Sequence, residues 1–393
     1  MSKEGGKMTA LNGGKCKFQL EFIERASVGI SGSVRGVLGV ILFDATKEDF
    51  TKKEYYSAVE IDEKDWTPEN TKALKAMAFR GNPFKVVCYK ATKENINDVL
   101  KQIAIEEPNY LVCPFTTGED KPATLVNDLE SWINSIRNQE TVKLGNNTST
   151  IKLIVASSSK PDKPWIIDYD VRQTAHTIVD FEEKAYTAQE YTLCIGSLCA
   201  GAPLNASITN MEQPWLKAFT TTVDDENTAV GEGKLLTSFD GTKYVILRGV
   251  TSFTKATDSM NRSFTKIRKM EIMDLHQKDI RNTFINSYRG KYQNIYSNKL
   301  LFLGAVNAYL ATFQKSGQLD PANENRMKID TEAVRNYIIS KGTYKGKPIT
   351  EEEAKKLSEY DLCRANTDDI VFAYIPDYKP TDVMEDFEGQ AIL

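Results

Sequence analysis

Residues 84–115 read FKVVCYKATKENINDVLKQIAIEEPNYLVCPF, and this stretch decides the fold. FKVVCYK is an apolar run of strand length. Ile96, Val99, Leu100 and Ile103 then recur at the spacing of one helical face, and Pro108 stops the pattern. YLVCPF is a second apolar run. A strand, a helix of ordinary length and another strand form a right-handed crossover unit, which places the two strands parallel in one sheet.

The same alternation extends in both directions. Downstream, Leu125, Leu129, Trp132, Ile133 and Ile136 form another helical stripe, IKLIVAS reads as a third strand, and HTIVDF as a fourth. Thr187 with Glu190 has the spacing of a capping box, opening a helix through Leu193, Cys194 and Leu198 that Gly201 and Pro203 end. Upstream, Thr67-Pro68 supplies a cap and a first helical residue for a helix through Leu74, Met77 and Ala78. The Gly-punctuated VGISGSVRGVLGVILFD leads into a buried strand over Val37 to Phe43.

A second regime begins near residue 230. Asp240-Gly241 lies between two apolar runs and predicts a hairpin. FTKIRKMEIMDL reads as extended and HQKDIRNTFINSY as helical. NKLLFLGAVNAYLATFQKSG is a long helix stopped by Gly317, followed by a helix near 331–340 and a short one opened by Thr350 with Glu353. Val371 to Ile375 alternates as a strand, Pro376 and Pro380 break it, and the chain ends in Phe387 and Ala391-Ile392-Leu393. At the other end, a Gly- and Lys-rich lead over 1–17 precedes KFQLEFIE, in which Phe18, Leu20 and Phe22 share one face of a strand.

Bulk properties exclude several functions. The chain has 393 residues, enough for two or three domains, with 26% charged residues. Its net charge of −4 is too balanced to argue for nucleic acid or an anionic membrane. No apolar run has the roughly 20 residues that span a bilayer, so no membrane insertion is expected. MSKEGGKMTALNGGKCK has no apolar core of the secretory kind, which reads as folding in the cytoplasm. Cys16, Cys88, Cys113, Cys194, Cys199 and Cys363 form no CxxC pair and read as small buried hydrophobes. With two histidines and no close ligand pairs, neither a metal nor a cofactor is expected.

Three patterns imitate chemistry. Gly29, Gly32 and Gly36 have neither dinucleotide nor P-loop spacing, and GEGK at 231–234 precedes a hairpin instead of a helix. His176, Asp180 and Ser157 to Ser159 lack a GxSxG elbow, so His176 reads as structural. His276, among Asp274, Lys278 and Asp279, reads as part of a solvated helix face. The alternative they leave open is an α/β hydrolase or nucleotide-binding enzyme using the middle of the chain. Arg262, Lys266, Arg268 and Lys269, then Arg281, Arg289 and Lys291, form two basic runs. These fit solvated helix faces or docking of a negatively charged protein partner.

Taken in order, SVRGVLGVIL, GTKYVILRGVTSFT, KDIRNTFINSYRGKYQN, RANTDDIVFAYI and DVMEDFEGQAIL resemble the contractile tail sheath proteins. The short sheaths of clostridial and bacillar phages and phage-tail-like bacteriocins are the nearest in kind. The resemblance implies a non-enzymatic structural protein of α/β and α+β class. Residues 1–45 would hold an N-terminal arm and the first strands of a sheath core domain. An outer α/β domain would occupy 46–230 with a mostly parallel sheet, the rest of the core domain 231–380, and a C-terminal arm 381–393.

The implied partners are the chain itself in hexameric rings stacked into a helical sheath, the tail tube protein, and the baseplate and terminator proteins. Assembly would take place in the host bacterial cytoplasm, and the finished sheath would leave on the released virion or bacteriocin. The arms that reach neighbouring subunits would be Phe18, Leu20 and Phe22 at the front and Val383, Met384, Phe387, Ile392 and Leu393 at the back. Pro376, Pro380 and Val28–Gly39 would be hinges, and Arg289, Lys291 and Lys299 are the expected tube-facing charges.

Overall fold

β1 (Val37–Phe43) is the centre of the molecule's main sheet, with six of its seven residues buried. In the structure, a computed structural model that describes residues 29–46, 49–137, 148–257 and 260–391, β1 pairs in parallel with β3 (Lys85–Ala91) and β4 (Tyr110–Val112). Next to β4 come β5 (Lys152–Val155), β6 (Ile166–Tyr169) and β10 (Lys234–Leu235), all parallel. β2 (Lys52–Tyr55) closes the opposite edge antiparallel to β3.

Alternation along each strand splits the core in two. Leu38, Val40 and Leu42 point to a core shared with α1 (Pro68–Met77) and α4 (Ala188–Gly201). Ile41 and Phe43 point to the other face, against α2 (Ile96–Glu106) and α3 (Leu125–Arg137). Strands buried on both faces need continuous apolar sequence, which is why they were readable as runs.

The caps form as expected. Thr67 accepts from the Asn70 amide, and Thr187 with Glu190 closes a reciprocal capping box. At the far end of α4 the backbone approaches the loop after α1 too closely for any side chain. A Cβ on Gly201 would lie 1.7 Å from the Gly81 carbonyl oxygen.

Two elements differ from the sequence expectation. HTIVDF is not a fourth parallel strand. Its first three residues end β7 (Gln173–Ile178) and its last begins β8 (Phe181–Tyr186), β7 being the middle strand of a separate antiparallel sheet between β8 and β9 (Leu216–Thr221). The fourth parallel position belongs to Ile166–Tyr169. FTKIRKMEIMDL is not extended either: it runs into α5 (Ile267–Thr283). That helix buries Arg268, Glu271 and Asp274 along with its apolar residues, so its local pattern shows no helical stripe.

The expected boundaries at 45 and 230 also cut across the main sheet, because β1 and β10, assigned to the core domain, are strands of it. The hairpin at Asp240-Gly241 does form, between β11 (Thr237–Phe239) and β12 (Tyr244–Ile246). α6 (Tyr296–Lys315) and α7 (Thr331–Lys341) pack with α5 around a third core that includes Leu303, Val306, Leu310 and Ile338. A two-residue pairing joins β13 (Lys328–Ile329) to β14 (Ala373–Tyr374), placing the last alternating run against that bundle.

Candidate inter-subunit surfaces

α5 is the piece to which the sheet, the bundle and the C-terminal segment are all fastened. Toward the sheet, Glu271 and Asp274 lie one turn apart. The Lys152 ammonium, from β5, is 3.0 Å from both carboxylates. Arg35 donates to Glu271 at 3.1 Å, the Tyr110 hydroxyl donates to it at 2.8 Å, and Arg137 reaches Asp274 at 3.0 Å.

Burial alone would push the Glu271 carboxyl up and the Lys152 ammonium down. The opposite charges win in each case: Glu271 ends below the usual carboxylate range, and Lys152 above the usual lysine range. Both are ionised. Toward the bundle, Tyr309 donates to Asp279 at 2.5 Å, and Asp279 accepts from the Ser33 amide at 2.7 Å, tying the strand leading into β1 to the same helix.

The C-terminal segment follows a different rule. After the Thr381 amide, which donates to the Gln318 carbonyl at 3.0 Å, charged side chains fasten the chain. Asp382 lies 3.4 Å from Lys269. Glu385 accepts from Thr209 at 2.7 Å, Arg248 at 2.9 Å and Lys266 at 2.5 Å, and Asp386 pairs with Arg248. Burial pushes the Glu385 carboxyl up, but these donors outweigh it and bring it below the usual range. Between and beyond these anchors, Met384 and Phe387 are fully in solvent, 101% and 94% exposed.

The expected arm residues divide accordingly. Val383 is half-buried, and Met384 and Phe387 are exposed. Phe18, Leu20, Phe22, Ile392 and Leu393, with Cys16 and the KFQLEFIE strand, lie outside the described residues.

Of the expected tube-facing charges, Arg289 and Lys291 are exposed on the turn between α5 and α6. Lys299 is not a surface charge. It is 4% exposed, donates to the Ala365 carbonyl at 3.2 Å and the Thr367 hydroxyl at 3.1 Å, and is pulled below the usual lysine range by burial. Its position early in a long helix looked solvated, but the 365–370 loop covers it. Exposed Tyr292, Ile295 and Leu300 surround the turn instead.

Neither histidine is placed for catalysis. His176 is fully buried, stacked on Tyr191 at 4.1 Å between ring centres, with Nε2 at 2.8 Å from the Tyr169 hydroxyl and Nδ1 at 3.2 Å from the Tyr186 carbonyl. His276 is not on a solvated face: it is 3% exposed, edge-on to Phe313, with Nδ1 at 2.7 Å from the Tyr378 hydroxyl. Burial lowers both imidazoles to about 4.

At the C-terminal ends of β5 and β6, where α/β enzymes hold their ligands, the Lys234 ammonium is spent on the Ser157 carbonyl at 2.8 Å and on Asp168. Ser157 and Ser159 hydroxyls face each other at 2.8 Å. The Ser159 hydroxyl also donates to the Glu130 carboxylate at 3.2 Å, and both histidines have their partners elsewhere. Cys88, Cys113, Cys194 and Cys199 are buried free thiols, and Cys363 is half-buried. Among the described residues no cluster of metal-ligating side chains occurs, and no helix is long and apolar enough to cross a membrane.

A fold that joins a doubly wound, mostly parallel sheet to a helical bundle through one charged helix is that of the tail sheath proteins. The sheath tail protein of Desulfitobacterium hafniense superposes with a TM-score of 0.61 at 12% identity, covering 79% of this chain and 94% of that one. The contracted helical sheath of the anti-feeding prophage superposes at 0.60 with 13% identity, covering 95% and 99%. In sequence, the chain is 29% identical over 386 residues to the tail sheath protein of Clostridium phage phiCD119, covering 95% of this chain and 98% of that one. No family model matches the chain. The chain is thus similar, in sequence and in fold, to the tail sheath proteins of contractile injection systems.

Proposed function

We propose that the chain polymerises with itself as hexameric rings stacked around a tail tube, and that the sleeve shortens to drive the tube through a cell envelope. The observation that carries this reading is the likeness to the phage tail sheath protein over nearly the whole length of both chains. The fully exposed Met384 and Phe387, on a segment with almost no backbone pairing, support it. Large apolar side chains held in water on an extended segment need a partner surface.

The work is a change of packing between rigid subunits, and no step requires an enzyme. The ionised network around Lys152 supports the rigid-body part, since it locks the sheet to α5. Both ends of the chain act as arms. Phe18, Leu20 and Phe22 lead one; Val383, Met384, Phe387, Ile392 and Leu393 form the other. Residues 30–36, running along α5 from Ser31 and Ser33, support a core domain assembled from the two ends of the sequence. Pro376, Pro380 and the glycines before β1 are the hinges.

Arg289 and Lys291 are the proposed contact to the tube protein, with Tyr292 and Ile295 beside them. Baseplate and terminator proteins would bind the two ends of the sleeve. The chain would assemble in the bacterial cytoplasm and leave with the particle. Electron microscopy of the purified full chain tests the reading: striated tubules or rings are expected, and a monodisperse monomer at every concentration and salt would refute it.

A further inference from the structure

Where the main sheet meets α5 there is a cavity of about 600 Å³. Trp165, just before β6, comes to its wall from the sheet side, Met270, Met273 and Ile280 come from α5, and Ile375 comes from the run after β14. A volume of this size is that of sites which hold small organic ligands. Methionine side chains adapt to the shape of what they enclose.

Two further side chains at this wall carry a nitrogen that the fold does not use. Arg137, at the end of α3, is 6% exposed; its Nη2 meets Asp274 at 3.0 Å, and its Nη1 has no partner among the described residues. His276 spends Nδ1 on the Tyr378 hydroxyl, and its Nε2 is likewise unpartnered. A buried polar atom without a partner is costly, and two beside one cavity point to an occupant that supplies the bonds. Charge narrows its class. The network at Arg137 holds three cations, Arg35, Arg137 and Lys152, against two carboxylates, Glu271 and Asp274. Both Asp274 oxygens are engaged, Oδ1 by Arg137 and Oδ2 by Lys152. The site is one negative charge short in largely apolar surroundings.

We infer that this cavity binds a small amphipathic carboxylate, its apolar body against Trp165, Met270, Met273, Ile280 and Ile375 and its head group toward Arg137 and His276. Neither nitrogen is open to water, so the head group reaches them as the side chains of the wall give way. A ligand carrying an ammonium group instead meets an excess of positive charge and is disfavoured. The inference stands apart from assembly, since every residue it uses belongs to one subunit.

Isothermal titration calorimetry of the full chain with decanoate, decanol and decylamine tests it. Decanoate is expected to bind at one site, about tenfold more tightly than decanol, because a charge-assisted hydrogen bond exceeds a neutral one by that order. Decylamine should bind more weakly than either. Arg137→Met should bring decanoate down to the affinity of decanol. Met273→Trp, which fills the cavity from a partly exposed position, should weaken decanoate by about tenfold or more, with circular dichroism showing that the fold is kept. No heat of binding at millimolar decanoate would overturn the site and leave water as its only occupant. Equal binding of decanoate and decylamine, or unchanged affinity in a folded Met273→Trp chain, would overturn it as well.

Discussion

Lys152 and Glu271 meet at 3.0 Å, and the side chain of each is at least nine-tenths buried. One comes from the third strand of the sheet's crossover series and the other from a helix more than a hundred residues later. Their contact makes the sheet and the bundle one body. Removing Lys152 leaves Glu271 with Arg35 and Asp274 with Arg137, so the cost is that of lost hydrogen bonds to buried charges, about 1–3 kcal/mol. Lys152→Met is therefore expected to lower the unfolding free energy by that amount in urea titration, and a loss under about 1 kcal/mol would mean that water reaches the network.

The close approach of Gly81 and Gly201 gives a steric prediction. Gly201→Ala places a methyl group 1.7 Å from a carbonyl oxygen. Backbone must shift, so about 1–3 kcal/mol of destabilisation is expected by thermal or chemical denaturation. A neutral result would show that the loop after α1 yields freely.

His276 sets a pH dependence. Its folded pKa is about 4 against the usual 6.5, because burial disfavours the charged form. Between those values the unfolded chain binds the proton and the folded chain does not, so stability falls as the pH drops from about 6.5 to about 4. The full difference corresponds to about 3 kcal/mol. Asp274, Arg137 and the Tyr378 hydroxyl share its surroundings. Asp168, raised to about 7 by burial, acts in the opposite sense, so a comparison of profiles is the sound measurement. In urea titrations from pH 4 to 7, His276→Gln should flatten the slope by about one proton relative to wild type. Parallel profiles would disprove the assignment.

The surface charges separate by position. Arg289→Glu with Lys291→Glu is expected to weaken capture of purified tubes most at low ionic strength, where exposed charges act furthest. Lys299→Met should lower stability and leave the salt dependence of capture unchanged, since Lys299 is buried. Unaltered capture by the doubly reversed chain would remove this turn from the tube contact.

Sequence reading went furthest where structure is local. The strands at Val37–Phe43, Lys85–Ala91 and Tyr110–Val112, the capped helix starts and the Asp240-Gly241 hairpin all rest on short-range rules: apolar runs, caps and turn residues. α5 escaped because its charges are satisfied from a distance. Arg268 and Asp274 read as solvent-facing until Thr381 is brought to the one and Arg137 and Lys152 to the other. His276 and Lys299 escaped for the same reason, each covered by a segment remote in sequence. The resemblance drawn from the two ends of the chain pointed to the tail sheath proteins it is similar to, whereas the anchoring of Glu385 needed coordinates, since Thr209, Arg248, Lys266 and Glu385 come from four separate stretches.

The central claim is that the C-terminal segment works outside its own subunit. Negative-stain microscopy and sedimentation of the full chain, set against a chain ending at residue 380, test this most directly. The full chain should form rings or tubules, and the shortened one should remain monomeric with an unchanged melting temperature. Equal assembly by both, or a marked loss of folding stability in the shortened chain, would show that the segment serves only its own subunit.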